Sequence, residues 1–303
     1  MQHEDIIQGL QKGDLKSIAR AITLVENESQ GWWELLSALP HHNTVPVIGF
    51  TGPPGAGKST LINAFIDYII SSGEQNKRIA VIAVDPTSPF TKGSLLGDRI
   101  RMSQHFLHPN VYIRSMATRG SLGGLSPKVF EVVDVLKSSH FDYIIVETVG
   151  VGQSEVEIAG LADTTVLVLV PEAGDEVQGI KSGVMEIADV FVVNKADRDG
   201  AASFYKNICM VAIANSSHKW QIPVIKTIAT DGNGIEELYL SIIAHQHTEH
   251  NNEKRSKVLA EKAMQLIRKK RTVDIDFQKL AEDIQNASSK KDFNLYLFLA
   301  DKF

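Results

Sequence analysis

The stretch that decides the fold is Gly52-Pro53-Pro54-Gly55-Ala56-Gly57-Lys58-Ser59, which fits the pattern G-x-x-x-x-G-K-[ST] without a gap. It follows the apolar run 45–50 and opens an amphipathic segment that begins at Thr60. A strand, a glycine loop and a helix in this order are the context in which the pattern binds nucleotide phosphates. Backbone N–H groups can curl around the phosphates, Lys58 can reach the outer ones, and the Ser59 hydroxyl can ligate Mg²⁺. We therefore predict a nucleoside triphosphate site over residues 52–60.

The composition is that of a globular protein, with 43% hydrophobic and 22% charged residues in a chain of 303. The formal net charge of −5 argues against nucleic-acid binding by the whole chain. Cys209 is the only cysteine, which excludes an intrachain disulfide and a cysteine-based metal cluster. The first residues lack the pattern of a signal peptide, and no apolar run reaches the roughly 20 residues that span a bilayer. We expect a soluble cytoplasmic protein that does not insert into membranes.

From residue 45 onward, short runs rich in β-branched residues alternate with helical segments. Most of the runs lack polar alternation, as is typical of strands that are buried on both faces. They predict an α/β fold in which a mainly parallel sheet is covered by helices on both faces, with function at the carboxyl ends of the strands. The predicted strands are 45–51, 79–85, 110–115, 141–148, 164–170, 189–194 and 222–228.

Residues 1–44 are predicted to form an N-terminal helical extension. Asp14 is placed to cap a helix, and apolar residues recur on one face of that helix. These residues are Leu15, Ile18, Ala19, Ile22 and Val25. An apolar cluster over residues 32–36 then favours core packing over a ligand platform.

Residues 247–303 are predicted to form a C-terminal helical arm beyond an α/β domain of residues 45–246. After a polar linker, eight basic residues over 254–271 surround a thin apolar stripe. The stripe consists of Leu259, Ala263, Leu266 and Ile267. This pattern favours a solvated helix face or a helix that docks on a partner over a nucleic-acid-binding arm.

Asn194-Lys195-Ala196-Asp197 follows a predicted strand and fits the pattern N-K-x-D, 136 residues after Lys58. The Asp197 carboxylate can accept two hydrogen bonds, which matches the N1–H and the exocyclic NH₂ of guanine. Adenine lacks this pair of donors and would leave a buried carboxylate unpaired, at a cost of about 1–3 kcal/mol. Together the two motifs predict a GTPase. Backbone groups of Thr227, Ile228 and Ala229 are weaker candidates for contacts with the base.

Glu147-Thr148-Val149-Gly150 closes the predicted strand 141–148. An acid at this position can hold Mg²⁺ directly or through water, and Gly150 can present its N–H to the γ-phosphate. Many GTPases have Asp where this chain has Glu147, so the longer side chain could instead orient the attacking water. Gln153, in the following loop, is a candidate hydrogen-bonding residue for hydrolysis, with a plain helix-start residue as the alternative.

Two further acids are candidate Mg²⁺ ligands. Asp85 ends the second predicted strand, and Asp98 lies 13 residues further along the chain. Mg²⁺ prefers oxygen ligands and keeps several waters, so a few carboxylates with a hydroxyl and phosphate are sufficient. A helix cap is the alternative for each acid, more so for Asp98. The predicted metal ligands are Ser59, Asp85, Asp98 and Glu147.

Together these segments resemble the MeaB/ArgK family of GTPases, from about residue 10 to residue 245. The most specific match is the long block 146–154, whereas the phosphate loop alone is not specific. The other matching blocks are 19–23, 52–60, 84–89, 97–99, 116–124, 174–181 and 194–197.

The resemblance implies a P-loop NTPase that hydrolyses GTP slowly and acts as a chaperone for an adenosylcobalamin-dependent acyl-CoA mutase, chiefly methylmalonyl-CoA mutase. It implies that GTP hydrolysis gates cofactor delivery and protects the mutase. It also implies that the protein is a homodimer and that the C-terminal segment is its dimerisation arm. It also implies a partner-responsive switch over residues 171–185, where Lys181 could swing toward the phosphates; a surface lysine is the alternative. The catalytic candidates are Lys58, Glu147, Gln153 and Lys181.

Two other functions stay open. The family carries an older label as a kinase linked to lysine/arginine/ornithine transport, which would transfer phosphate to a protein. A related metal-delivery GTPase is the other candidate, but the chain has no cysteine pair or histidine-rich tract to carry a metal.

Overall fold

A computed structural model describes residues 3–40, 45–72, 76–86, 102–118, 125–150, 157–173, 183–248, 252–272, 274–288 and 295–300. The chain divides into two compact units, Met1–Arg255 and Ser256–Phe303. Among the described residues, we find no helix whose length and apolar character would let it cross a membrane.

A seven-stranded sheet organises the first unit, and every neighbouring pair of its strands is parallel. The strands are β1 (Val47–Thr51), β2 (Ile79–Asp85), β3 (Val111–Ala117), β4 (Tyr143–Glu147), β5 (Thr164–Leu169), β6 (Val190–Asn194) and β7 (Val224–Thr227). Their order across the sheet is β3-β2-β4-β1-β5-β6-β7. Six of the seven predicted runs contain one of these strands, whereas β3 ends at Ala117, beyond the predicted run 110–115. The predicted α/β class and parallel sheet are confirmed.

Helices connect the strands and extend the chain at both ends. Those that lie wholly in the first unit are α1 (His3–Gln11), α2 (Leu15–Glu26), α3 (Trp32–Ser37), α4 (Lys58–Ser71), α5 (Val129–Lys137), α6 (Ile158–Leu161), α7 (Gly183–Glu186), α8 (Ala201–Asn215) and α9 (Ile235–Gln246). The C-terminal part contains α10 (Asn252–Arg271), α11 (Phe277–Ser288) and α12 (Leu295–Ala300). Short 3₁₀ turns occur at Ser103–His105 and Pro171–Ala173.

Alternate side chains of the strands pack into two apolar cores, one on each face of the sheet. Ile48 and Phe50 of β1 belong to the core that α4 and α9 cover, whereas Val47 belongs to the core that α2, α5 and α8 cover. Since both faces are covered, the inner strands β1, β2, β4, β5 and β6 are buried along their whole length. This burial explains why their sequences lack polar alternation.

The N-terminal helices belong to the same compact unit as the sheet. The Asp14 carboxylate accepts a hydrogen bond from the backbone N–H of Ser17 at 2.9 Å, so the predicted cap of α2 is confirmed. The structure also places Trp33 at the surface, 44% exposed, where core packing had been predicted. Leu35, from the same cluster, is fully buried.

The predicted apolar face of α2 was wrong at two positions. Leu15 is 45% exposed and Ala19 is half-buried, whereas Ala21 is buried. Each residue turns the helix by about 100°, which places Ala21 on the arc that the other buried residues define and Leu15 and Ala19 beyond it. The other buried residues of α2 are Ile18, Ile22 and Val25.

Three aspartates tie neighbouring strands together at the amino edge of the sheet. Each stands directly before a strand and accepts a hydrogen bond from a backbone N–H at the start of the adjacent strand, at 2.8 Å in each case. The donor and acceptor pairs are Arg78 with Asp142, Val47 with Asp163, and Thr165 with Asp189. These bonds fix the register in which the strands enter the sheet.

Candidate nucleotide site

The predicted phosphate loop leaves β1 after Thr51 and enters α4 at Lys58, at the carboxyl edge of the sheet. Gly57 directly precedes the helix with a φ of 84°. A Cβ at this position would lie 2.5 Å from Nδ2 of Asn194, so only glycine allows the approach. The first N–H groups of α4 have no partner within the helix, which makes this turn a suitable place for an anion.

The other predicted residues of the loop surround this turn. Ala56 donates its backbone N–H to the carbonyl oxygen of Pro53 at 3.2 Å, which closes the loop on itself. Gly52, Pro53 and Ala56 are buried, whereas Pro54, Gly55 and Thr60 are exposed. The exposed residues therefore line the side of the loop from which a ligand could enter.

Lys58 lies along the loop with only 6% of its surface exposed. Its Nζ donates to the carbonyl oxygens of Gly52 at 2.9 Å and Pro53 at 3.2 Å. Phosphate oxygens are anionic and accept stronger hydrogen bonds than neutral carbonyls do. The ammonium is therefore placed where it could exchange these carbonyls for phosphate oxygens.

Ser59 and Glu147 form a buried pair between the start of α4 and the end of β4. Ser59 Oγ donates to Glu147 Oε1 at 2.7 Å, and each residue is 4% exposed. Since β4 pairs directly with β1, Glu147 lies opposite Phe50 and close to the base of the loop. Hydroxyl and carboxylate oxygens are the ligands that Mg²⁺ prefers, so the pair fits this ion.

Asp85 is the last residue of β2 and is 1% exposed. In the pairing of β2 with β4, Ala83 lies opposite Glu147, so both carboxylates come from adjacent strands at the same edge. No group of three or more His, Cys, Asp or Glu side chains that could hold a metal occurs within the residues that the structure describes. A magnesium site built from these residues would therefore need the Ser59 hydroxyl, phosphate oxygens or water to complete its ligands.

Gly150 lies directly against the phosphate loop. Its φ is 91°, and a Cβ here would lie 2.5 Å from Nζ of Lys58 and 2.7 Å from the carbonyl oxygen of Gly52. The positive φ and the close approach to the loop both require glycine at this position. The segment that follows β4 is thus brought to the loop, as the sequence predicts.

The base-recognition motif also meets the phosphate loop. Asn194 ends β6, and its Nδ2 donates to the carbonyl oxygen of Ala56 at 2.9 Å. Its Oδ1 accepts from Thr227 Oγ1 at 3.0 Å and from the Ala229 N–H at 3.3 Å. Lys195 Nζ donates to the carbonyl oxygen of Gly55 at 2.8 Å. Three predicted parts of the site, which are far apart in the sequence, therefore form one hydrogen-bonded unit.

Asp197 is exposed, although the sequence-based expectation treated its carboxylate as buried. The backbone N–H of Ala196 donates to the carbonyl oxygen of Thr227 at 3.1 Å, which holds the turn against the end of β7. Ile228 donates its N–H to the carbonyl oxygen of Asn233, so that N–H is already used within the segment. Discrimination between guanine and adenine by Asp197 would therefore have to arise when a bound base covers the carboxylate.

Other candidates lie outside the described residues. They are Asp98, Gln153 and Lys181, together with most of the segment 171–185. Conversely, the site contains a contact that no motif predicted: the hydroxyls of Thr51 and Thr148 bond at 3.1 Å beneath the loop. The sequence signal for this contact was a threonine at the end of each of two strand-like runs. Thr51 ends the run 45–51 before the phosphate loop, and Thr148 ends the run 141–148.

The chain is also similar in sequence to known proteins. A protein of Pyrococcus horikoshii that is predicted to be a GTPase is 49% identical over 249 residues, which is 80% of this chain and 77% of the relative. The mouse protein named methylmalonic aciduria type A homolog, mitochondrial, is 38% identical over 260 residues, which is 79% of this chain and 62% of the relative.

Among solved structures, the crystal structure of an LAO/AO transport system kinase has a TM-score of 0.66 and 27% identity. The match covers 99% of this chain and 95% of that one, so it includes the parallel sheet and the helices around it. The family model described as methylmalonyl Co-A mutase-associated GTPase MeaB matches residues 18–283. The chain belongs to this MeaB family of P-loop GTPases.

Proposed function

We propose that this chain is a GTP-dependent chaperone that gates adenosylcobalamin loading and protects a cobalamin-dependent acyl-CoA mutase, such as methylmalonyl-CoA mutase. The observation that carries the guanine-nucleotide part is the contact of Asn194 and Lys195 with the loop at Ala56 and Gly55. The match to the MeaB family and the mouse relative support the mutase part.

In this proposal the loop N–H groups and Lys58 bind the phosphates of GTP or GDP, and Gly150 presents its N–H to the γ-phosphate. Asp197 binds the guanine base, with the 227–229 segment beside it. Ser59, Asp85 and Glu147 would hold Mg²⁺, with Asp98 as a further candidate. Bound there, Mg²⁺ would offset the charge on the phosphate oxygens.

Hydrolysis then depends on groups that act on water and on the developing charge. Ser59 Oγ donates to Glu147 at the end of β4. In this proposal the Glu147 carboxylate would lie near the γ-phosphate, which Gly150 would also contact. We keep Gln153 as a candidate for orienting water and Lys181 as a cation supplied by a partner-responsive switch. A charge that arrives late can accelerate such reactions by several orders of magnitude, so hydrolysis without the partner should be slow.

The test is a single-turnover GTPase assay with purified methylmalonyl-CoA mutase added to this protein. We expect the mutase to stimulate hydrolysis, and adenosylcobalamin transfer to the mutase to require hydrolysable GTP. Lys181→Ala should keep basal hydrolysis and GTP affinity while losing stimulation. Lys219→Ala, a surface lysine in the α8–β7 connection, is the matched control and should respond like the wild type. Absence of any effect of the mutase on hydrolysis or on cofactor transfer would contradict the proposal.

We also propose that the chain forms a homodimer. In the C-terminal part, α10 exposes Leu259, Met264 and Ile267, which are 46–49% exposed, and α11 exposes Phe277, which is 80% exposed. No residue of α11 is buried. Exposed apolar side chains on successive helices favour a protein partner, and a second copy of the chain would cover them.

Sedimentation velocity can test the dimer. We expect Phe277→Asp to shift the protein to monomer, because a charge would replace a large apolar group in the contact. Leu107→Asp is the matched control, since Leu107 is 96% exposed in the first unit. A wild-type protein that sediments as a monomer would contradict this part of the proposal and leave the nucleotide site unaffected.

A transport-linked kinase is the alternative that the similarity to the LAO/AO transport system kinase favours. It would transfer the γ-phosphate to a protein instead of to water. Mass spectrometry of a candidate acceptor, after incubation with γ-labelled nucleotide, separates the two functions. A stable phosphoprotein would favour the kinase, and free phosphate alone would favour the GTPase.

A further inference from the structure

We propose that Thr51 and Thr148 are positioning residues for GTP hydrolysis, which act through the hydrogen bond between their hydroxyls. Thr148 Oγ1 donates to Thr51 Oγ1 at 3.1 Å. Both residues are buried, with exposures of 0% for Thr51 and 1% for Thr148. The proposal rests on the GTPase activity of the family and not on the identity of a protein partner.

The two threonines stand where two functional segments leave the sheet side by side. Thr51 ends β1 and precedes the phosphate loop, while Thr148 follows β4 and precedes Gly150. The pairing of these strands continues past the end of β4, since the Thr148 N–H donates to the carbonyl oxygen of Phe50 at 3.0 Å. The hydroxyl bond therefore joins the segments at the point where they turn into loops.

Residues on both sides of Thr148 along the segment lie against the phosphate loop or α4. One residue before it, Glu147 accepts from Ser59 Oγ at 2.7 Å. Two residues after it, Gly150 lies so close to the loop that a Cβ there would be 2.5 Å from Nζ of Lys58. A displacement of the segment would therefore move both contacts at once. A misplacement of 1 Å can cost about a hundredfold in rate.

The fold alone does not need hydroxyls here. The other residues of β1 are apolar, and valine has nearly the shape of threonine and suits a buried strand. A buried hydroxyl is unfavourable unless it is hydrogen-bonded, so each threonine depends on a bonding partner that a valine would not need. A hydrogen bond is directional, whereas an apolar contact is not. The pair therefore fixes the relative position of the two segments more tightly than valines would.

The first test compares Thr148→Val with Thr148→Ser in single-turnover GTP hydrolysis. We expect the valine variant to lose about tenfold in the hydrolysis rate while GTP affinity changes by less than about twofold. The serine variant keeps the hydroxyl and should stay within about twofold of the wild-type rate. Thr51→Val removes the same hydrogen bond by removing its acceptor. This variant alone tests the proposal if Thr148→Val does not fold.

The second test asks whether the two threonines act as one unit. Since each valine substitution removes the same bond, the double variant should hydrolyse GTP no more slowly than the slower single variant. Thr164→Val is the matched control: Thr164 is fully buried at the opposite edge of the sheet and its Oγ1 bonds to Nδ1 of His245 at 2.8 Å. It should lower the melting temperature without changing the hydrolysis rate.

Three results would overturn the proposal. The first is a wild-type rate in both Thr148→Val and Thr51→Val. The second is an equal loss in Thr148→Val and Thr148→Ser, which would make the methyl packing responsible. The third is a loss of GTP affinity as large as the loss of rate, which would indicate general damage to the site.

Discussion

Both edges of the sheet hydrogen-bond polar side chains, but the partners of these side chains differ. At the amino edge, Asp163 accepts from a strand N–H at 2.8 Å, as two other aspartates do. At the carboxyl edge, Lys58 bonds to loop carbonyls and Ser59 bonds to a carboxylate. The first bonds belong to the sheet itself, whereas phosphate and a cation could replace the second. We therefore assign stability to the amino edge and propose that the carboxyl edge binds the nucleotide.

A cluster around His245 shows how closely the amino edge is bonded. His245 Nδ1 lies 2.8 Å from Thr164 Oγ1, and Nε2 lies 3.5 Å from Asp189 Oδ1. Trp220 packs edge-on against the imidazole with ring centres 4.9 Å apart and donates Nε1–H to the carbonyl oxygen of Asp189 at 2.8 Å. These contacts join α9, β5, β6 and the chain before β7. A substitution in this cluster should destabilise the fold without a direct effect on nucleotide.

The largest expected effect is that of Lys58→Ala at the carboxyl edge. Hydrogen bonds from an ammonium to phosphate contribute about 1.5–3 kcal/mol each, so GTP affinity should fall by at least about a hundredfold. Isothermal titration calorimetry measures this loss. The matched control is Lys77→Ala, because Lys77 pairs with Asp142 at the other edge, at 3.3 Å. An equal loss of affinity in both variants would erase the distinction between the edges.

Glu147→Ala should damage hydrolysis more than binding. The carboxylate lies at the end of β4, where it can hold the cation or orient water, and such groups contribute about a hundredfold or more to rate. GTP affinity should change by only several-fold. Single-turnover hydrolysis with saturating GTP tests this difference, and unchanged turnover would remove Glu147 from the mechanism.

Asp163→Ala should have the smallest effect of these substitutions. In contrast to the other two, it should lower stability and leave nucleotide binding and hydrolysis unchanged. The substitution leaves the Val47 N–H at the start of β1 without its acceptor, which costs about 1–3 kcal/mol of unfolding free energy. Urea denaturation measures it, and Asp163→Asn should lose less because the amide keeps an acceptor oxygen. GTP affinity and turnover of the folded variants should match the wild type. A selective loss of turnover in Asp163→Ala would show that the two edges are not separate.

Much of the fold could be predicted because both faces of the sheet are covered. Double burial produces apolar strand sequences, and each predicted run overlaps one strand, although β3 extends beyond its run to Ala117. The α2 face was predicted less well, since periodicity gives the direction of the buried face but not its width. Ala21 is buried, while Leu15, a larger apolar residue at the first position of the helix, is 45% exposed.

Within the site, the motifs could be read because phosphate binding requires particular residues in a fixed local order. Contacts between distant segments could not, because they depend on strand order. Thr51 and Thr148 meet only because β4 lies beside β1, although β2 and β3 come between them in the chain. The bond from Val47 to Asp163 likewise joins residues 116 apart.

The most direct test of guanine binding at the carboxyl edge is calorimetric titration of wild type and Asp197→Asn with GTP, ATP and xanthosine triphosphate. Wild type should bind GTP at least about tenfold more tightly than ATP, because only guanine offers Asp197 two donors. The variant should bind GTP more weakly and xanthosine triphosphate more tightly, since the 2-oxo group then meets an amide donor. Equal wild-type affinity for ATP and GTP would contradict the assignment.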